Sequence, residues 1–282
     1  MADQTKKKQP MRAVSPVFAL HYVKFIFRCL LFLFVLLFYC LGKQELLADM
    51  HWFWGGVWLL LFGSILLRFF PSRFECMGAQ KQLGCHYEAR PNPKTPKTNP
   101  RGIAIMLALW LGLTALVGTL YALGVFGRGF LLLLTLFVSI LDVFCILFFC
   151  PFQTWILKNR CCTTCRIYNW DYAMMLSPIL FVPSFYTYTL YGAALALLIQ
   201  WEVEHHRHPE RFYVETNACL DCSRCEERLC KHKKQLRTFI RKQRMISLTY
   251  TKSEDQAVTA VEKKTEVTVG AVTHSGDSAR EE

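Results

Sequence analysis

Four long apolar runs constrain the fold of this 282-residue chain more than any other feature. Runs of about 18 or more apolar residues are typical of membrane helices, because roughly 20 residues at a rise of about 1.5 Å cross the hydrocarbon layer. We predict crossings over residues 29–47, 52–70, 103–126 and 130–150, and a fifth, long or re-entrant apolar region over 172–201. The predicted fold class is an all-α integral membrane protein with a small Cys-rich C-terminal module.

The segments around these runs define the remaining domain organisation. Residues 1–13 are polar and basic, residues 250–282 are rich in Thr, Val and Glu, and both are predicted to be disordered. Residues 71–102 contain several Pro and Lys and predict an exposed linker. The transmembrane helical domain would cover residues 14–201, starting with an interfacial helix, and a basic, Cys-rich surface module would follow over 202–249.

The net charge of +12 points to a partner of opposite charge. Anionic lipid head groups fit best, because the Lys and Arg residues lie beside membrane segments and no nucleic-acid-binding motif is present. The predicted location is a plasma or inner membrane, crossed several times.

The basic residues also predict topology, with one conflict. Short loops that carry Lys or Arg stay in the cytosol, which places the N-terminus, residues 71–102 and residues 151–171 there. A single crossing by residues 172–201 would put the basic C-terminus on the opposite side, which contradicts this rule. One way out of the conflict is that the rule weakens for long terminal domains. A re-entrant path broken at Pro178 and Pro183 avoids the conflict, and we predict a cytosolic C-terminus.

The thirteen cysteines favour thiol or metal chemistry over a disulfide scaffold. Their number is odd, so complete internal pairing is impossible, and their spacings look like ligand sets on a reducing face. In the tail, C-x2-C-x2-C-x4-C spacing fits an iron–sulfur cluster or a structural Zn²⁺, while disulfides or unligated thiols stay open. The predicted metal ligands are Cys219, Cys222, Cys225 and Cys230, with His232 as a possible accessory.

A second metal or redox site is predicted around the end of the fourth crossing, at Cys145, Cys150, Cys161, Cys162 and Cys165. Asp142 is a possible accessory, because an ionisable residue deep in an apolar run is a functional hypothesis by default. Cys162-x2-Cys165 is a common half-site for metal or for dithiol redox chemistry. For Cys145 and Cys150, ordinary helix packing is the alternative.

A third group of polar residues follows the last apolar region. Glu202, His205 and His206 include the Glu-x-x-His pattern that forms half of a di-iron carboxylate site. A second copy of the pattern is absent, so interfacial polar residues are the favoured interpretation. Pro209 is predicted to end this helix. Residues 226–245 predict a basic amphipathic helix on an anionic membrane surface.

The cysteine pattern resembles that of the membrane polyferredoxins attached to nitrate and nitrous-oxide reductase systems. Cys145, Cys150 and Pro151 are similar to their helix-end Cys-Pro motif, and Cys219, Cys222 and Cys225 are similar to three ferredoxin ligands. The spacing differs, with x4 in place of x3 and a single Cys-Pro motif. The resemblance implies electron transfer from quinol toward a protein partner.

Together these features predict a membrane-bound metal or redox protein that transfers electrons through iron–sulfur or thiolate centres at the cytosolic face. The alternative is a non-enzymatic membrane scaffold or regulator, whose zinc module docks a soluble partner. That alternative follows because no nucleophile–base arrangement or phosphate-binding glycine loop is evident. A transporter is a third option, based on Asp142 and the broken region near Pro178 and Pro183.

Overall fold

Five long helices dominate the computed structural model, which describes residues 16–43, 49–70, 75–84, 87–96, 98–159, 161–222 and 238. They are α1 (Pro16–Cys40), α2 (His51–Phe69), α3 (Pro100–Ala122), α4 (Arg128–Leu147) and α5 (Phe185–Arg207). Helices α1 to α4 are long and apolar enough to cross a membrane. The described residues contain no β-strand, although an isolated antiparallel bridge joins Ala89 to Asn217. The predicted all-α membrane class is confirmed at this level.

Helix α1 begins at Pro16, which corrects the predicted separation of an interfacial helix from a crossing that starts at Cys29. Its polar side chains have partners inside the bundle. Arg28 forms an ion pair with Asp142 of α4 at 2.9 Å, and Lys24 lies 3.8 Å from Glu75. Because these charges are compensated by neighbouring elements, they do not prevent one continuous apolar helix.

Short helices connect the long ones at one end of the bundle, which we call the loop end. This end contains residues 75–96 and 150–170, and α2 and α4 finish there. The opposite end, where α1 ends and α4 begins, is called the turn end. The short helices are Met77–Gln80, Lys81–Leu83, Phe152–Ile156, Cys162–Thr164, Tyr168–Trp170, Asp171–Leu176, Ser177–Phe181, Pro209–Arg211 and Ala218–Leu220.

Residues 75–83 are buried, which corrects the prediction that 71–102 is an exposed linker throughout. Cys76 and Ala79 belong to an apolar cluster that also contains Tyr168 and Trp201. Lys81 is only 1% exposed. The segment is buried because it fills the space between the loop after α4 and the end of α5.

Residues 171–184 run from the loop end toward the turn end as two short helices. The segment starts where Asp171 pairs with Arg68, near the end of α2, at 2.8 Å. It then reaches the far part of α3, where a Cβ on Gly118 would lie 2.5 Å from the Phe181 ring. The short helices give way to extended backbone before α5 begins.

Helix α5 returns to the loop end. Its first turn contacts α2, since the rings of Tyr186 and Trp58 lie 6.1 Å apart. Near its end, Trp201 Nε1 donates a hydrogen bond to the backbone carbonyl of Arg166 at 2.8 Å. The apolar region therefore starts and finishes at the same end of the bundle.

The beginning of the C-terminal module packs on the loop end. The backbone amide of Ala218 donates to the carbonyl of Glu88 at 2.8 Å, and the amide of Arg90 donates to Thr216 at 3.1 Å. Helix α5 stops at Arg207 and Pro209 follows it, as predicted. The predicted disorder of 1–13 and 250–282, and the amphipathic helix over 226–245 apart from residue 238, lie outside the described residues.

Candidate functional site

A cavity of about 390 Å³ lies between α3 and α4 and reaches the short helices of the loop end. Its walls are mostly hydrocarbon. The lining residues that carry chemistry are Cys145, Cys150, Cys162, Cys165, Asp142, Asp171, Gln153 and Tyr168. Cavities of this size, apolar with a few convergent polar groups, are typical of small-molecule sites.

Helix α3 contacts short helices of the bundle near both of its ends. At the loop end, Asn99 Nδ2 donates to the carbonyl of Ile156 at 3.1 Å. Toward the turn end, Gly118 allows Phe181 to contact the helix backbone. Between these points Leu109 and Leu113 line the cavity while 44% and 60% exposed, so the cavity opens toward the surface that would face lipid.

Two thiols lie one turn apart at the loop end of the cavity. Cys162 begins a 3-10 turn that closes with a hydrogen bond from the amide of Cys165 to the carbonyl of Cys162 at 3.0 Å. In 3-10 geometry, side chains three residues apart lie above one another. Both side chains line the cavity, so the Cys-x2-Cys pair predicted from spacing is presented as a dithiol.

Gln153 connects this dithiol to a third thiol. Cys162 Sγ donates to the side-chain oxygen Oε1 of Gln153 at 3.5 Å, and the backbone amide of Gln153 donates to Cys150 Sγ at 3.4 Å. Gln153 lies in a π-helical turn over Phe152–Ile156, a rare conformation that is frequent at functional sites. Cys150, Cys162 and Cys165 therefore share one end of the cavity.

The five cysteines of the predicted second site do not all meet. Cys145 lines the cavity one turn beyond Asp142, whereas Cys161 is not among the lining residues. Cys161 Sγ instead accepts a hydrogen bond from Thr163 Oγ1 at 3.2 Å. Within the described part of the chain, no three His, Cys, Asp or Glu side chains are grouped so that they could hold a metal ion.

Sequence reasoning missed two residues behind the dithiol, because both fall in the presumed linker. Cys76 Sγ donates to the Tyr168 hydroxyl at 2.8 Å. Lys81 Nζ donates to the carbonyls of Thr163 and Cys165 at 3.0 and 3.2 Å. No apolar period marks residues 75–83, so only the presence of a cysteine could have drawn attention to them.

Burial alters the acid–base properties of this region. It lowers the pKa of Lys81 to about 8, although the neighbouring cysteines oppose the shift. It raises the pKa of Cys165 to about 12, helped by negative charge on Cys162 and opposed by Lys81. The ammonium group lies 5.1 Å from the centre of the Trp201 ring and 5.3 Å from that of Phe212. The buried cation therefore opposes the rise in the pKa of Cys165 without cancelling it.

Asp142 has a cationic partner that the sequence did not identify. Arg28 Nη1 contacts Asp142 Oδ2 at 2.9 Å and also donates to the carbonyl of Ser139 at 2.6 Å. The pair compensates two charges within the helical bundle. Asp142 therefore stabilises the packing of α1 on α4 while its side chain also lines the cavity.

The acidic and histidine group after α5 makes polar contacts at the loop end. Both carboxylate oxygens of Glu202 accept hydrogen bonds from Arg166, and Trp170 Nε1 donates to Glu202 Oε1 at 2.7 Å. His205 Nε2 lies 3.0 Å from the Tyr213 hydroxyl. His206 is exposed. These contacts agree with the interpretation of interfacial polar residues.

Of the four cysteines predicted to bind metal in the tail, the structure describes only Cys219 and Cys222. Asn217 Oδ1 accepts a hydrogen bond from the amide of Cys219 at 3.0 Å, which fixes the first thiol in a tight turn. Cys222 is exposed. Cys225, Cys230 and His232 lie outside the described residues, so the predicted tail centre stays a prediction.

The fold and the cavity together define a multi-helix protein with four helices long and apolar enough to cross a membrane and an internal site lined by thiols. Comparisons with protein families, with characterised proteins and with solved structures found no match to this chain.

Proposed function

We propose that this chain is a membrane-bound redox protein whose Cys162–Cys165 dithiol exchanges electrons with a lipophilic carrier of the quinone class. The carrier would occupy the cavity between α3 and α4. The observation that carries this proposal is the position of two thiols, one turn apart, in an apolar cavity that opens between lipid-facing leucines. A carrier dissolved in the bilayer could enter there without passing through water.

The proposed reaction balances without another reactant. Both S–H bonds break, one S–S bond forms, and two electrons and two protons reach the quinone, which becomes a quinol. The reverse reaction would reduce the disulfide. Burial, and then negative charge on Cys162, raise the pKa of Cys165, so we assign the attack to the less buried thiol of Cys162.

The cavity walls suit an aromatic carrier. Trp110 lies in the wall, and its Nε1 is enclosed without a hydrogen-bond partner among the described residues. Buried polar groups are normally hydrogen-bonded, so this donor favours a bound acceptor.

Thiol counting with a short-chain benzoquinone tests the proposal. Under anaerobic conditions, the reconstituted full chain is expected to lose two thiols for each quinol formed. Cys162→Ser and Cys165→Ser should each abolish that loss. Cys40→Ser is the matched control, because Cys40 is exposed at the end of α1 and does not line the cavity. Equal thiol loss in all variants, or no quinol, would reject the proposal.

A metal centre in the tail is the second candidate, and the anchoring of Cys219 supports it. Asn217 is fully buried and its side chain also donates to the carbonyl of Arg211 at 3.0 Å, which holds the start of the tail against the loop end. The tail thiols could bind an iron–sulfur cluster for electron transfer, or Zn²⁺ in a module that docks a protein partner.

Metal analysis of anaerobically prepared full chain separates these versions. Brown protein containing iron and sulfide supports the cluster, and colourless protein containing zinc supports the docking module. Cys222→Ser should lower the metal content in either case. Protein without bound metal would reject both versions and leave the dithiol proposal intact.

A further inference from the structure

We propose that a second cavity, at the turn end, binds an anionic lipid, with the head group at Arg128 and one acyl chain inside the bundle. This inference is independent of the proposed redox function. The cavity is separate from the thiol-lined one and shares no lining residue with it.

The second cavity has a volume of about 590 Å³. It lies among α1, α2, α4, α5 and the short helix Ser177–Phe181. Its interior walls are apolar and are lined by Val35, Val57, Leu61, Leu132, Leu136, Leu176, Ile179 and Leu190. An internal apolar space of this size fits an alkyl chain, because the chain removes apolar surface from water without requiring polar partners.

Polar lining residues gather at the turn end of this cavity. They are Tyr39, His51, Arg128, Ser184 and Tyr186. Arg128 is exposed and has no ion-pair or hydrogen-bond partner among the described residues. No Asp or Glu is among the described residues that line the cavity. Among the described lining residues, the mouth therefore offers a cation without a competing carboxylate.

The helix backbone adds to the positive character of the mouth. Helices α2, α4 and α5 all begin there, and their N-cap residues Met50, Gly127 and Ser184 make no side-chain capping hydrogen bond. The first amides of a helix lack intrahelical partners and carry partial positive charge, which favours anions. Three such termini and a guanidinium group at one opening favour a phosphate or carboxylate head group.

A buried hydroxyl inside the cavity marks a second polar contact. Thr187 is 5% exposed, lines the cavity, and its side chain has no hydrogen-bond partner among the described residues. It lies one position beyond Tyr186, below the mouth. An ester or carboxyl oxygen of a lipid that enters head-outward could accept from this hydroxyl. An inorganic anion at Arg128 would leave the apolar space unfilled.

Native mass spectrometry of the full chain tests the inference with phosphatidylglycerol, phosphatidylcholine and inorganic phosphate as probes. One phosphatidylglycerol should be retained in preference to phosphatidylcholine. Arg128→Gln should weaken its retention about tenfold, as loss of one charge-assisted contact implies. Lys43→Gln is the matched control, because Lys43 is an exposed cation after α1 that does not line the cavity.

Three results would overturn the inference: equal retention of both lipids, unchanged retention in Arg128→Gln, or equal stabilisation by inorganic phosphate alone. Thr187→Phe supplies a second test, since it fills the cavity and should exclude the acyl chain. Arg128 is exposed, so its substitution leaves the fold intact and the test stays decisive even where Thr187→Phe does not fold.

Discussion

Lys81 Nζ donates a hydrogen bond to the backbone carbonyl of Cys165 at 3.2 Å, and both residues are buried. The contact places the ammonium group directly behind the dithiol turn. Its second hydrogen bond, to the carbonyl of Thr163 at 3.0 Å, spans the same turn. Lys81 thereby both fixes the position of the Cys-x2-Cys turn and supplies positive charge to its thiols.

The reactivity of Cys165 should depend on Lys81 and on pH. Because burial raises the pKa of Cys165 to about 12, its alkylation by iodoacetamide should be slow at neutral pH and rise steeply with pH. Lys81→Met should slow it further, since the cation lowers that pKa. The Lys81 ammonium loses its proton with a pKa of about 8, so the difference between the two proteins should shrink above pH 8.

Mass mapping of alkylated peptides measures this rate. Lys94→Met is the control, because Lys94 is exposed on the loop end. A difference of the same size at pH 6 and pH 10 would show that Lys81 acts on Cys165 only through packing.

The two ends of residues 171–207 should be accessible from one side of the membrane. Cys222 and a thiol introduced by Lys94→Cys should react with an impermeant maleimide added on the same side, because the tail packs on residues 88–90. Lys43→Cys should react only from the opposite side, since it follows α1 at the turn end. Labelling of Cys222 and Lys43→Cys from one side would contradict the re-entrant path.

Gly118 should be far more sensitive to substitution than Gly112. A Cβ on Gly118 would lie 2.5 Å from Phe181 Cζ, whereas Gly112 has nothing within 4 Å. Overpacking of this kind costs about 1–3 kcal/mol, so Gly118→Ala should lower the thermal stability of the purified protein and Gly112→Ala should not. Adding Phe181→Ala to Gly118→Ala should restore part of the loss. Equal effects of the two glycine substitutions would mean that Phe181 does not pack on α3.

Loss of one partner of the Arg28–Asp142 ion pair should lower the stability of the protein more than loss of both partners. Arg28→Leu leaves the partly buried Asp142 without its cation, and the same change in a fully buried pair, which costs about 3–5 kcal/mol, sets the upper bound. The double variant Arg28→Leu with Asp142→Leu should recover most of that loss. Thermal unfolding in detergent measures both.

A surface pair provides the comparison for this effect. The side chains of Arg90 and Asp221 are 31% and 38% exposed, so Arg90→Leu should change stability by no more than about 1 kcal/mol. If the double variant at Arg28 and Asp142 is as unstable as the single one, the pair does not hold α1 on α4.

The sequence by itself determined the all-helical class and the four segments that form helices long and apolar enough to cross a membrane. Backbone N–H and C=O groups without hydrogen-bond partners are costly in hydrocarbon. A long apolar run therefore forms a helix, in which these groups bond to one another. The predicted spans differ from the observed helices at their ends. The largest difference is at α1, where Lys24 and Arg28 indicated a boundary although both have acidic partners far along the chain. The Cys162–Cys165 pair was also evident from spacing alone, because its geometry is local.

Only the tertiary structure decided which thiols meet. It directs Cys150 and Cys162 into one cavity, turns Cys161 away from that cavity, and buries Lys81 behind the dithiol. It also returns residues 171–207 to the end from which they started. These features depend on contacts between segments that are far apart in sequence. Such contacts cannot be predicted from the local pattern of residue types. Hydropathy identifies what enters the membrane, whereas packing between helices decides what lies side by side within it.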